Sequence, residues 1–85
     1  MSNNITEVQL QLLKADYHLL TALALENLGR FFDPENDNMM TSSRVLDAAA
    51  HNSGAVRRHP RAYQLAALGR YDETHDEYER ELAEL

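Results

Sequence analysis

Cysteine and tryptophan are missing from this chain, and glycine and proline are scarce, at three and two residues in 85. Without cysteine there is no disulfide frame and no thiolate metal site. Three dispersed glycines leave no phosphate-cradling loop. The longest apolar-rich stretch, Leu19 to Leu25, falls far short of the ~20 residues that cross a bilayer. The polar opening, Met1 to Thr6, lacks the basic stretch and apolar core of a secretory leader. These absences point to a cytoplasmic protein, in the host cytoplasm if the chain is viral, with no membrane partner.

No catalytic signature stands out. His18 follows Asp16 and Tyr17, and His51 follows three alanines, with no nucleophile at a recognisable spacing. Ser42, Ser43 and Ser53 are explained as cap and turn residues. On the last predicted helix, Asp72, His75, Asp76 and Glu79 fall at i, i+3, i+4 and i+7, on one face. Such a set can ligate a divalent metal, but acids at a helix start also complement its dipole. The second reading needs no ligand. A non-enzyme without cofactor or metal is expected.

What is present is helical. The composition is 44% hydrophobic and 26% charged, enough for one small domain with a modest core. The pattern predicts an all-α fold: a small helical bundle of one long N-terminal helix and about three shorter ones. Thr6 and Gln9 have the spacing of a capping box, with Ile5 and Leu10 at the staple positions, so the long helix is placed over 7–32. Leu10, Leu13, Tyr17, Leu20, Ala24 and Phe31 form its main stripe, with Leu12, Leu19, Leu23 and Leu28 beside or behind it. A helix apolar on two faces has to bury both. Either the later helices wrap it or a second subunit does, and the second reading predicts an oligomer.

Asp33-Pro34-Glu35 breaks the helix, and Asn36-Asp37-Asn38 is turn chemistry. Thr41 or Ser42 then caps a helix over 43–52, which Gly54 ends. Pro60 opens a third helix, 60–69, and Asp72 caps a fourth, 73–85. In the last, Tyr71, His75, Tyr78, Leu82 and Leu85 recur at steps of four and three, a narrow seam whose partner is the long helix or a neighbouring subunit.

The net charge of −6 is unevenly laid out: −4 over 1–43, +4 over 44–70 and −6 over 71–85. Arg57, Arg58, His59 and Arg61 cluster at the start of the third helix, flanked by Arg44 and Arg70. Clustered arginine near a helix start can hold phosphate, and these six residues are the candidate nucleic-acid contacts. The competing reading pairs them with the acidic last helix. That helix supplies the candidate partner surface: Tyr71, Asp72, Glu73, His75, Asp76, Glu77, Tyr78, Glu79, Leu82 and Leu85.

The stretch from Thr41 to Val56, after a long amphipathic helix and an acidic break, resembles the small terminase subunits of short-tailed phages. Val45, Leu46 and Ala49 match the helix of that family, and Asn52 stands near its polar exit. The sequence departs where the family often has a bulky apolar residue and Lys before the Asn, since Ala50 and His51 stand here. The resemblance implies a ring-forming, non-enzymatic factor that recognises DNA and delivers it to a packaging ATPase. Two other readings stay open: a small acidic phage-encoded inhibitor, of anti-defence or nucleic-acid-mimic type, that binds a host protein through the last helix, and a helical adaptor or regulatory dimer.

Overall fold

A computed structural model describes residues 2–85, with side chains from Ile5 onward; Met1, where the polar opening begins, lies outside them. Five helices follow one another, with no strand among the described residues: α1 (Ser2–Phe32), α2 (Asp37–Ser53), α3 (Ala55–Arg58), α4 (Pro60–Ala67) and α5 (Tyr71–Ala83). The all-α bundle expected from the periodicity is the fold observed.

The 31-residue α1 is about 46 Å long at 1.5 Å per residue, nearly the 51 Å long axis of the molecule, whose other extents are 22 and 15 Å. It is therefore the spine, and the four shorter helices pack along it. The helix already runs through Thr6, so the capping box does not mark its start, and Ile5 stays 62% exposed rather than stapling a helix entry.

The connection after α1 is shorter than expected. Asn36 is itself the N-cap of α2, its side-chain oxygen accepting from the amides of Asn38 (3.0 Å) and Met39 (3.2 Å). Asn is among the strongest N-caps, so α2 begins at Asp37, six residues before the predicted start, and Thr41 is an interior residue whose hydroxyl bonds back to the Asp37 carbonyl. At the other end Gly54 adopts φ 86°, the left-handed stop expected of it, and leads at once into α3, a single turn absent from the sequence expectation.

The α4–α5 corner is a left-handed glycine cap. Gly69 has φ 74°, its amide donates to the Ala66 carbonyl and the Arg70 amide donates to Leu65. This is the paired-bond helix stop that favours glycine. Chain reversal comes so early that α4 closes at Ala67 and Arg70, not Asp72, caps α5.

Two small clusters make the core. Leu13, Tyr17, Leu20, Ala50, Ala55 and Ala62 form one, with Tyr78 and Leu82 packed on it. Leu23, Ala24 and Ala66 form the other, with Leu46 and Tyr71 against it. The alanines on α2, α3 and α4 let those helices approach the spine closely. The α5 seam thus packs inside the chain: Tyr71, Tyr78 and Leu82 reach the core, while Leu85 is 48% exposed and the fully buried member of the helix is Thr74, which the periodicity did not single out. Phe31, assigned to the main α1 stripe, is 77% exposed.

Candidate functional site

The most unusual feature of the interior is charged. Asp16 lies between Leu13 and Leu20 on the core face of α1 and is 2% exposed. A lone carboxylate there would be costly. Two residues satisfy it through three contacts. Arg58 grips it with two parallel bonds, Nε to Oδ2 at 2.8 Å and Nη2 to Oδ1 at 2.7 Å. His59 Nε2 stands 2.7 Å from Oδ2. On the other side of the imidazole, Nδ1 lies 3.0 Å from Glu81 of α5, and the Tyr17 hydroxyl donates to that same Glu81 carboxylate.

Local sequence sets this geometry. Proline disfavours helical backbone in the residue before it, and His59, preceding Pro60, takes φ −134° and ψ 66°. That break between α3 and α4 turns the ring inward, 4.9 Å from the Tyr17 ring centre. Its two nitrogens thereby face two carboxylates, Asp16 on one side and Glu81 on the other.

The electrostatics follow from burial and partners. Burial pushes the Asp16 carboxyl up, but the hydrogen bonds and charges of Arg58 and His59 together outweigh it and hold the group below its ordinary value. The bond to Asp16 raises Arg58. Burial, then the bond to Glu81, raises the Tyr17 phenol far above its usual range. Asp16 is thereby held as the carboxylate, Arg58 as the cation and Tyr17 as the neutral phenol, and the network clamps α3 and α5 onto α1.

Above the network lies an open groove of about 280 Å³, lined by Gln9, Leu12, Leu13, Asp16, Arg58, His59, Glu81, Glu84 and Leu85. It continues onto the end of α1, where Ile5, Val8 and Leu12 are 62%, 67% and 44% exposed. With Ala15 and Leu19 these positions step by three and four, the register of a coiled-coil seam. Sequence reasoning placed such a seam on α5. The structure places an uncovered one on α1 instead.

The six candidate nucleic-acid residues divide. Arg58 and His59 are held in the network. Arg61 Nε bonds Glu77 at 2.6 Å, and Arg70 Nε lies 3.2 Å from Glu73. Arg44 and Arg57 are exposed and have no ion-pair partner among the described residues. The candidate partner surface divides as well. Asp72, Asp76 and Glu79 lie exposed on α5, His75 Nε2 stands 3.6 Å from Glu79, and Glu77 is drawn between Arg61 and Arg80. No group of three His, Cys, Asp or Glu side chains among the described residues is placed to hold a metal ion, and no helix is long and apolar enough to cross a membrane.

Asp16, Tyr17 and Glu81 were missed as site residues. The signal for Asp16 was present, since a charge at an apolar phase of the Leu13–Tyr17–Leu20 stripe has to find a buried partner. In comparisons with family models, curated proteins and solved structures, none matched this chain.

Proposed function

We propose that this chain is a self-associating helical interaction module of the adaptor or regulatory kind, acting by binding and not by catalysis. The observation that carries the reading is the seam on α1 of exposed Ile5, Val8, Leu12 and Ala15, which runs on to half-buried Leu19. Its occupant is the same seam of a second copy. The positions flanking it are Gln9, Gln11 and His18, together with Asp16, whose charge is already bound internally. The α1 positions that flank the seam thus bring no exposed like charges together, whereas meeting through α5 would oppose two −6 segments. A self-complementary patch closes as a symmetric dimer.

Light scattering on a sizing column across a concentration series tests it. The native chain is expected above its 9.7 kDa monomer mass, and Val8→Asp is expected at the monomer mass with its helicity kept. A native monomer at every concentration, or an unchanged mass for Val8→Asp, overturns the reading.

A second reading keeps the DNA role, in which the assembly presents DNA to a packaging ATPase. Arg44 and Arg57 favour it as the two cations of the basic segment left without acidic partners. Replacing both with Gln is expected to lower the slope of log affinity against log salt by about two, near one unit per phosphate contact. Equal salt slopes for native and variant chains would sink it.

A further inference from the structure

On the opposite half of α1 from the seam, a cleft of about 220 Å³ opens between α1, α2 and α4, lined by Leu23, Asn27, Arg30, Ser43, Arg44 and Asp47, with Ala67 behind them. Two arginines line it, and neither has an acidic partner among the described residues. With Asp47 in the same lining, the cleft carries two positive charges against one negative. The single carboxylate there is occupied: Asp47 Oδ1 accepts the Tyr63 hydroxyl at 2.6 Å, and Oδ2 lies 3.6 Å from His51.

Ser43 adds an independent sign. It is 4% exposed, and its hydroxyl is the one buried side-chain oxygen or nitrogen among the described residues without a hydrogen-bond partner. A serine inside a helix ordinarily bonds the carbonyl four residues back, as Thr21, Thr41 and Thr74 do in this molecule. An unmade bond in a buried place is unfavourable, and here it occurs beside the unpaired arginines.

We propose that this cleft binds a small tetrahedral oxyanion, a free phosphate or the terminal phosphate of a small phosphomonoester. Arg30 and Arg44 hold it by charge-assisted bonds from two helices, for which the planar guanidinium fork is suited. Ser43 lines the same cleft, and a turn about its χ1 brings the hydroxyl, now sealed from solvent, to the anion as a donor. Arg30 also sits in the last turn of α1, where a cation is favourable without any ligand; Arg44, mid-way along α2, has no such reason to be there. The site is separate from the self-association seam, so either can fail alone.

The test is an amide NMR titration of the full chain with sodium phosphate, against sodium chloride at equal ionic strength. Saturable shifts at Asn27, Ser43 and Arg44 are expected with phosphate alone. Arg44→Gln and Arg30→Gln are each expected to weaken binding roughly tenfold, the worth of one charged hydrogen bond. Arg57→Gln, which removes an unpaired arginine elsewhere, is expected to leave it unchanged. Ser43→Ala is expected to weaken phosphate binding without lowering the melting temperature, a combination that a merely structural serine would not give. Phenyl phosphate in place of inorganic phosphate separates the two sources: tighter binding assigns the site to a phosphomonoester, equal or weaker binding to free phosphate. Identical shifts with phosphate and chloride, or equal loss for Arg57→Gln and Arg44→Gln, overturn the proposal.

Discussion

Arg58 and Asp16, 42 residues apart, meet through two parallel hydrogen bonds of 2.8 and 2.7 Å that tie the one-turn α3 to the middle of α1. Breaking a buried pair by removing one partner leaves the other charge uncompensated, at about 3–5 kcal/mol. Asp16→Ala is therefore expected to cost roughly 3 kcal/mol, since Arg58 can swing to water from its half-open position. In a domain of this size that lowers the melting temperature by more than about 10 °C. Arg58→Lys is not a mild change, because an ammonium cannot make the paired bonds. Thermal unfolding followed by circular dichroism measures both.

The same contact sets an acid limit. The Asp16 carboxyl is held below its ordinary value of 3.8 in the folded chain, so the fold prefers the carboxylate. Its contribution is fully present above that value and is lost as the pH falls through the lower folded value. Stability to urea, measured from about pH 5 down to about pH 2, should fall for the native chain. Asp16→Asn should start less stable and fall less steeply over that interval. Parallel curves for the two chains would show that other carboxylates govern the acid transition.

How much of this was legible beforehand depends on the range of the interaction. Pro34, Gly54 and Pro60 act within a few residues of themselves, and their effects were readable, the first two as helix ends and Pro60 as a helix start. Asn36 was read only as part of the turn Asn36-Asp37-Asn38, with the cap placed at Thr41 or Ser42, because asparagine serves turns and caps alike. The arginine cluster was visible as charge, yet its partners lie 16 to 42 residues away for Arg61 and Arg58. A one-dimensional charge pattern does not say which acid faces which base. The uncovered α1 seam was hidden for a related reason: α1 is apolar on several sides, and the stripe left bare is defined by what the other four helices happen to cover.

Tyr63 joins α4 to α2 by donating to Asp47 Oδ1 at 2.6 Å. That bond, with some burial, pushes its phenol up to about 12. The neutral phenol is the form the fold prefers, so the contribution is complete below the ordinary value of 10.0 and fades as the pH rises through about 12. Tyr63→Phe is expected to cost about 1 kcal/mol at neutral pH. In an ultraviolet alkaline titration, Asp47→Asn should return one late-ionising tyrosine towards the ordinary value. If the titration of that variant overlays the native curve, the bond does not hold the phenol.

Gly69 and Gly29 give a matched pair of glycine tests with opposite outcomes. Gly69 has φ 74°, and a methyl group added there would lie 2.8 Å from the Leu28 backbone nitrogen of α1. Neither problem can relax cheaply: the left-handed backbone alone costs a non-glycine residue about 1–2 kcal/mol, and the spine cannot move away without uncovering the Asn27 amide, which donates to the Ala66 carbonyl at 3.0 Å. Gly29, inside α1, has an ordinary helical backbone, and its added methyl would meet only the flexible end of Met39. Glycine inside a helix is about 0.5–1 kcal/mol worse than alanine, so the gain there offsets a small shift of Met39. Gly69→Ala should lower the melting temperature by at least about 8 °C, while Gly29→Ala should leave it unchanged or raise it. A Gly69→Ala chain that melts like the native one would mean that the α4–α5 corner does not press against α1 in solution.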